Sequence, residues 1–172
     1  LVRSLSFGTF YWSVQAVDGA MMRSTWATEE TFAVTPPANT GGKLYVNDES
    51  TAGDSWTTAV GKDTPALANG SATYPWRTIT YALSQAKSGD TIFIDAGLYS
   101  ETVVIDTDNI ALIGKDSNAT VINPPGDSSV GGLRGIYADT QIGLTIKNLG
   151  VTGAYDGIYF ENVDYSVFSG DS

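Results

Sequence analysis

The tripeptide Gly135-Ile136-Tyr137 returns 22 residues later as Gly157-Ile158-Tyr159, and Leu144-x-Ile146 maps at the same interval onto Ser166-x-Phe168. That recurrence restricts the fold more than any other feature of the chain. Helical repeats are longer than this, and the Leu and Asn pattern of a leucine-rich repeat is absent. Short apolar segments over 91–94, 102–105, 110–113, 120–122, 135–138, 144–146, 157–160 and 165–168 are separated by Gly, Asn and Asp. Each is long enough for a strand and too short for a helix. A 22-residue unit holding three such strands fits one coil of a parallel β-helix. There, Ile, Val, Leu and Phe stack on their equivalents in the next coil, and Thr, Tyr, Asp, Glu and Asn point outward. About three coils are expected.

One segment breaks this pattern. Over 78–87, Ile79, Ala82, Leu83 and Ala86 fall at i, i+3, i+4 and i+7, the apolar stripe of an amphipathic helix. Thr78 can cap its start, and Lys87 and Gly89 mark its end. The preceding stretch, 43–74, opens as a strand over 43–46 and becomes a polar loop carrying Asn47, Asp48, Glu49, Asp54 and Asp63 among Gly53, Gly61 and Gly70. Oxygen donors of this kind suit calcium, but the spacing of an EF-hand is missing, and turns made by Asn and Asp side chains are the favoured reading. Upstream, Phe10, Trp12, Val14 and Ala16 alternate with Tyr11, Ser13, Gln15 and Val17, giving a strand whose first set is the expected core face. A second strand covers 31–34. Pro36, Pro37, Gly41 and Gly42 make 36–42 a linker between a unit at 1–35 and a second at 43–172.

The charge and residue inventory removes several function classes. Nine Lys and Arg against nineteen Asp and Glu give a net charge of −10, which disfavours nucleic acid as a partner. With no Cys and no His, disulfides, thiolate metal sites, imidazole ligands and a histidine base are all excluded within the chain. No apolar run approaches the roughly 20 residues of a membrane span. The chain opens at Leu1, inside what reads as a strand unit, so it is expected to be a piece of a longer protein.

Two resemblances add to this. Phe10, Val14, Ala16, Asp18, Ser24-x-Trp26 and Phe32-x-Val34 resemble the last two strands, F and G, of a fibronectin type III domain, with Phe10 where that family usually has Tyr. Tyr45-Val46-Asn47-Asp48, Pro75-Trp76-x-Thr78-Ile79, Ala82-Leu83, Ala86, Gly89-Asp90-Thr91-Ile92, Gly97-x-Tyr99-x-Glu101 and Ile113-Gly114 are similar to the N-terminal portion of the pectin lyase-like superfamily, in particular to a DUF1565-type start. The second resemblance implies an all-β fold, a right-handed parallel β-helix whose first coil is closed by the amphipathic helix. It also implies a secreted or cell-surface protein and, in the superfamily's enzymes, action on acidic polysaccharides by calcium with Arg or Lys, or by clustered Asp, in later coils.

Candidate site residues follow from the coil register. Tyr137 and Tyr159 should occupy one repeated position on neighbouring coils, and with Tyr155 and Tyr165 they are candidates for stacking on sugar rings, or simply for supporting coil packing. Asp139 and Glu161 share the same interval, and with Asp156 and Asp164 they are candidates for calcium, or solvated surface carboxylates. Arg134, the sole Arg after the helix, is expected to support a turn. The resulting expectation is a non-catalytic, carbohydrate-binding or surface-attachment module. Its alternative is the opening part of a polysaccharide lyase or glycoside hydrolase.

Overall fold

The structure, a computed structural model, describes residues 5–36, 42–129, 131–164 and 166–169. Its elements are β1 (Gly8–Trp12), β2 (Glu30–Val34), β3 (Lys43–Val46), α1 (Ile79–Gln85), β4 (Thr91–Ile94), β5 (Gly97–Tyr99), β6 (Val103–Ile105), β7 (Ala111–Gly114), β8 (Thr120–Ile122), β9 (Arg134–Asp139), β10 (Thr145–Lys147), β11 (Gly150–Val151), β12 (Asp156–Glu161) and β13 (Val167–Ser169). From β3 onward all strand pairing is parallel, in three sheets: β3-β4-β7-β10-β13, β5-β8-β11 and β6-β9-β12. The chain visits the sheets in rotation, so each coil contributes one strand to each, an arrangement consistent with a β-helix.

The registers show why these residues stack. Leu44, Ile92, Leu112, Ile146 and Phe168 form one ladder, and Val103, Ile136 and Ile158 another. Ile92, Leu112, Val103 and Ile136 are all 0 % exposed, each burial contributing about 1.5–3 kcal/mol. Ile136 pairs with Ile158 and Tyr137 with Tyr159, so the 22-residue interval is a true coil step. The step is not constant, however. Along the first sheet Thr91, Ala111, Thr145 and Val167 are partners, so the coil that starts at Ala111 is longer than its neighbours. The added length lies in the connection 123–133, which carries Pro124, Pro125, Gly126, Gly131 and Gly132 and has Val130 outside the described residues.

Helix α1 forms where the periodicity predicts it. Thr78 caps it by accepting from the Tyr81 amide at 3.1 Å. Five further bonds, to carboxylates distant in sequence, fix the start. Asp63 accepts from the Arg77 and Thr78 amides and from the Thr78 hydroxyl, and Glu101 accepts from the Ile79 and Thr80 amides at 2.9 and 2.8 Å. Ile79, Ala82 and Leu83 are buried against the first coil. The loop before the helix guards the outer edge of β3, where the Tyr45 amide donates to Gly70 and Trp76 bridges Val46 in parallel. Edges left open invite association, so covering this one matters.

Residues 8–34 form an antiparallel ribbon, β1 on β2, in the register Gly8↔Val34 to Trp12↔Glu30, with Phe10 stacked on Phe32 at 5.5 Å. The expected core face is not covered: Trp12 is 50 % and Val14 57 % exposed, and the regular strand stops at Trp12. Among the described residues no element packs over Trp12 and Val14 to bury that face of the two-stranded ribbon. Residues 37–41 of the predicted linker lie outside the described residues.

Burial falls along the solenoid. Ile158 and Phe168 are 44 % and 50 % exposed, whereas Ile92, Ile94 and Leu112 are fully buried. Amides over 157–169 are therefore expected to exchange with solvent on the order of a hundredfold faster than those over 92–113. Equal protection of the two regions in a monomeric sample would contradict this gradient.

Candidate functional site

Sheet three, β6-β9-β12, carries the site. On β9 the pleat sends Ile136 and Ala138, both 0 % exposed, inward and Tyr137 outward. Tyr159 repeats this position one coil later, and the two rings stack with centroids 6.1 Å apart and planes 29° from parallel. Arg134 belongs by alternation with Ile136, but at the mouth of the strand its guanidinium lies over both rings, 4.5 Å from Tyr137 and 3.8 Å from Tyr159. Both distances fall within the roughly 6 Å range of a cation–π contact. The role predicted for Arg134, support of a turn, is thus replaced by a contact with the aromatic pair. Its Nε is buried without a hydrogen-bond partner. An ammonium or a neutral side chain there would lose the planar stacking a guanidinium makes.

The other predicted residues are distributed around this cluster. Tyr155, 59 % exposed, sits one residue before β12 and donates its amide to the Leu133 carbonyl, so it stands beside the strand mouth and the 123–133 connection. Tyr165 lies outside the described residues. Asp139 and Glu161 are partners on adjacent strands at the far end of the sheet, with Asp139 Oδ1 accepting from Asn162 Nδ2 at 3.2 Å. Asp156 pairs with Arg134 at the near end. Five residue steps along β12 separate it from Glu161, about 16 Å. Asp164 is in the next turn, bridged to Ile142. The four carboxylates predicted as a calcium set are not brought to one point, because the pleat and the strand length spread them. Among the described residues no three acidic side chains are placed to share a metal ion.

A second aromatic stack escaped the sequence reading. Tyr45 and Phe93, partners in sheet one, stack at 5.3 Å, and Trp56 from the polar loop closes on Phe93 edge-on at 5.2 Å. The same device there is sealed by a third ring; at Tyr137 and Tyr159 the neighbour is a cation. The loop that brings Trp56 is itself tied to Asp95, which is fully buried at the end of β4 and accepts from the Ser55, Trp56 and Thr57 amides, each at 2.8 Å. Burial alone would push the Asp95 carboxyl up, but these amides and the Thr57 hydroxyl together hold it below the usual carboxylate range. Glu101, Asp63 and Asp95 are therefore structural anchors.

Residues 59–144, half of the chain, match the family model described as a protein of unknown function, DUF1565. The chain belongs to the DUF1565 family. Comparison with curated proteins and with solved structures finds no match. Within the DUF1565 segment fall Gly97, Tyr99 and Glu101, and their work is visible: a Cβ on Gly97 would sit 2.6 Å from the Asp48 carboxylate, the Tyr99 hydroxyl donates to the Asp95 carbonyl, and Glu101 holds the helix start. Tyr137 is also inside the matched segment, whereas Tyr159 lies beyond it.

Proposed function

We propose that this chain is part of an extracellular or cell-surface modular protein that binds carbohydrate without catalysis through the outer face of sheet three. In this reading the solenoid, residues 43–172, is a right-handed parallel β-helix of the pectin lyase-like kind. The antiparallel ribbon within 1–35 is the F and G pair of a fibronectin type III domain, and 36–42 is the linker. What supports the site is the Arg134–Tyr137–Tyr159 cluster: two stacked, partly buried rings repeated on successive coils, with the Arg134 guanidinium over both and the exposed Tyr155 beside the strand mouth. Aromatic faces stack on the apolar faces of sugars, and the guanidinium supplies donors to ring and linkage oxygens.

The test is a binding measurement on the chain against an array of soluble polysaccharides. At each ring about 1 kcal/mol is at stake. Replacing both Tyr137 and Tyr159 by Ala should therefore weaken binding by about tenfold or more, at 1.4 kcal/mol per tenfold. A well-folded double variant that binds as wild type would end this reading. Release of an unsaturated, ultraviolet-absorbing product would instead favour a lyase.

A further inference from the structure

Asn47 and Asp54 form a polar pair that the carbohydrate site does not use. Asn47, directly after β3, is fully buried, and its Nδ2 donates to Asp54 Oδ2 at 2.7 Å and to the Ala59 carbonyl at 2.9 Å. The remaining oxygens of the pair, Asn47 Oδ1 and Asp54 Oδ1, are buried, and neither has a hydrogen-bond partner. Two orphaned acceptors on one hydrogen-bonded pair are costly unless something donates to them. A metal ion is the poorer candidate. Calcium takes six to eight oxygens, the Asp95 carboxylate nearby is already filled by N–H and O–H donors, and no three acidic side chains among the described residues converge. A proton needs one donor and one acceptor, which is what the pair offers.

We propose that Asp54 is held as a neutral acid whose O–H donates to Asn47 Oδ1, completing a two-bond acid–amide pair, and that losing this proton loosens the loop 48–57 from the end of β3. The latch is thus sensitive to pH. Its surroundings work in this direction. Burial pushes the Asp54 carboxyl up, the Asn47 amide pulls it down, the Asp95 charge pushes it up, and the Thr57 hydroxyl and the Asp48 charge make smaller contributions of opposite sign. From the other elements the facing groups are Tyr99, whose hydroxyl is pushed well above its ordinary value by burial, and Lys115, whose ammonium donates to the Gly53 carbonyl. Because the folded value is raised above the unfolded one, near 3.9, the latch is fully engaged below the unfolded value. Its contribution is lost as the pH rises through the folded value.

Thermal unfolding of the chain between pH 4.5 and 8, compared with Asp54→Asn, tests the latch. Asn at this position keeps a neutral donor and acceptor at every pH. The wild-type Tm should therefore fall by about 2–4 °C relative to the variant across that range, the shift expected of a domain this size for roughly a fivefold change in folding equilibrium. A gap between the two proteins that does not change with pH would overturn the proposal. So would calcium raising the Tm of wild type but not of the variant, which would put a cation where the proton is inferred. If Asp54→Asn does not fold, a carbon NMR titration of wild type decides alone: Asp54 must titrate above the exposed aspartates, and titration alongside them refutes the latch.

Discussion

Replacing Asp95 with alanine is expected to lower the unfolding free energy by about 3 kcal/mol, which for a chain of this length is a fall in Tm of roughly 6–12 °C. The reason is a count of donors. The carboxylate, fully buried, accepts from the amides of Ser55, Trp56 and Thr57 at 2.8 Å, from the Thr57 hydroxyl at 3.1 Å and from the Ala96 amide at 3.1 Å. Alanine leaves those donors without an acceptor, and they recover partners only if the loop opens to water. Opening carries Trp56 away from Phe93, so the loss should appear in tryptophan fluorescence as well as in urea unfolding. Asp95→Asn should lose nearly as much, because an amide turns a donor toward amides that need an acceptor.

The pH dependence of this effect runs opposite to that of Asp54. Asp95 is held below the usual carboxylate range, so its contribution is present above the unfolded value of about 3.9 and is lost as the pH falls through the lower, folded value. With Asp54 replaced by Asn in both proteins, so that the latch does not titrate, the gap between Asp95 and Asp95→Ala should therefore stay constant from pH 8 to about pH 5 and shrink under stronger acid. A gap that narrows instead as the pH rises toward 8 would show that the carboxylate is not what holds the loop. Asp54 and Asp95 are linked by the same loop, Thr57 donating to both, so the two effects should be separated by single variants before they are combined.

How much of this was legible in the sequence depends on the range of the interaction. The Gly-Ile-Tyr repeat foretold the pairing of Tyr137 with Tyr159 because coil neighbours must present like side chains to like positions. Helix α1 was legible from its stripe and its Thr78 cap, both local. Strands β5 and β11 were not, since Gly97-Leu98-Tyr99 and Gly150-Val151 are too short to show alternation and are ordered by the strands they pair with. Nor were Asp95, Glu101 and Arg134, whose partners come from other coils or other elements; a carboxylate that anchors amides 38–40 residues away looks in the sequence like any other surface acid. The uncovered face of the N-terminal ribbon shows the converse. Alternation specifies which side chains share a face but says nothing about whether anything packs on it.

Gly114→Ala is expected to cost about 3 kcal/mol, although glycine to alanine in a strand usually helps. Gly114 ends β7 on the ladder below Val46 and Ile94, and it has no partner in the next coil because β10 stops at Lys147. There the chain turns at Asn148, whose φ of 55° lies in the left-handed region, and crosses directly over Gly114. A Cβ on Gly114 would sit 2.1 Å from the Asn148 carbonyl oxygen and 2.6 Å from Leu149 Cδ2. The first of these is backbone, so relief requires moving the turn, and moving the turn shifts β11 and the coil that carries Tyr159. The variant should therefore both lower the urea midpoint and weaken any polysaccharide binding that depends on the Tyr137–Tyr159 spacing. Gly19→Ala, with nothing within 4 Å of the added carbon, should stay within about 0.5 kcal/mol of wild type. A Gly114→Ala protein as stable as the Gly19 control would mean that successive coils are not in contact at this corner, and the tight turn at Asn148 would have to be abandoned.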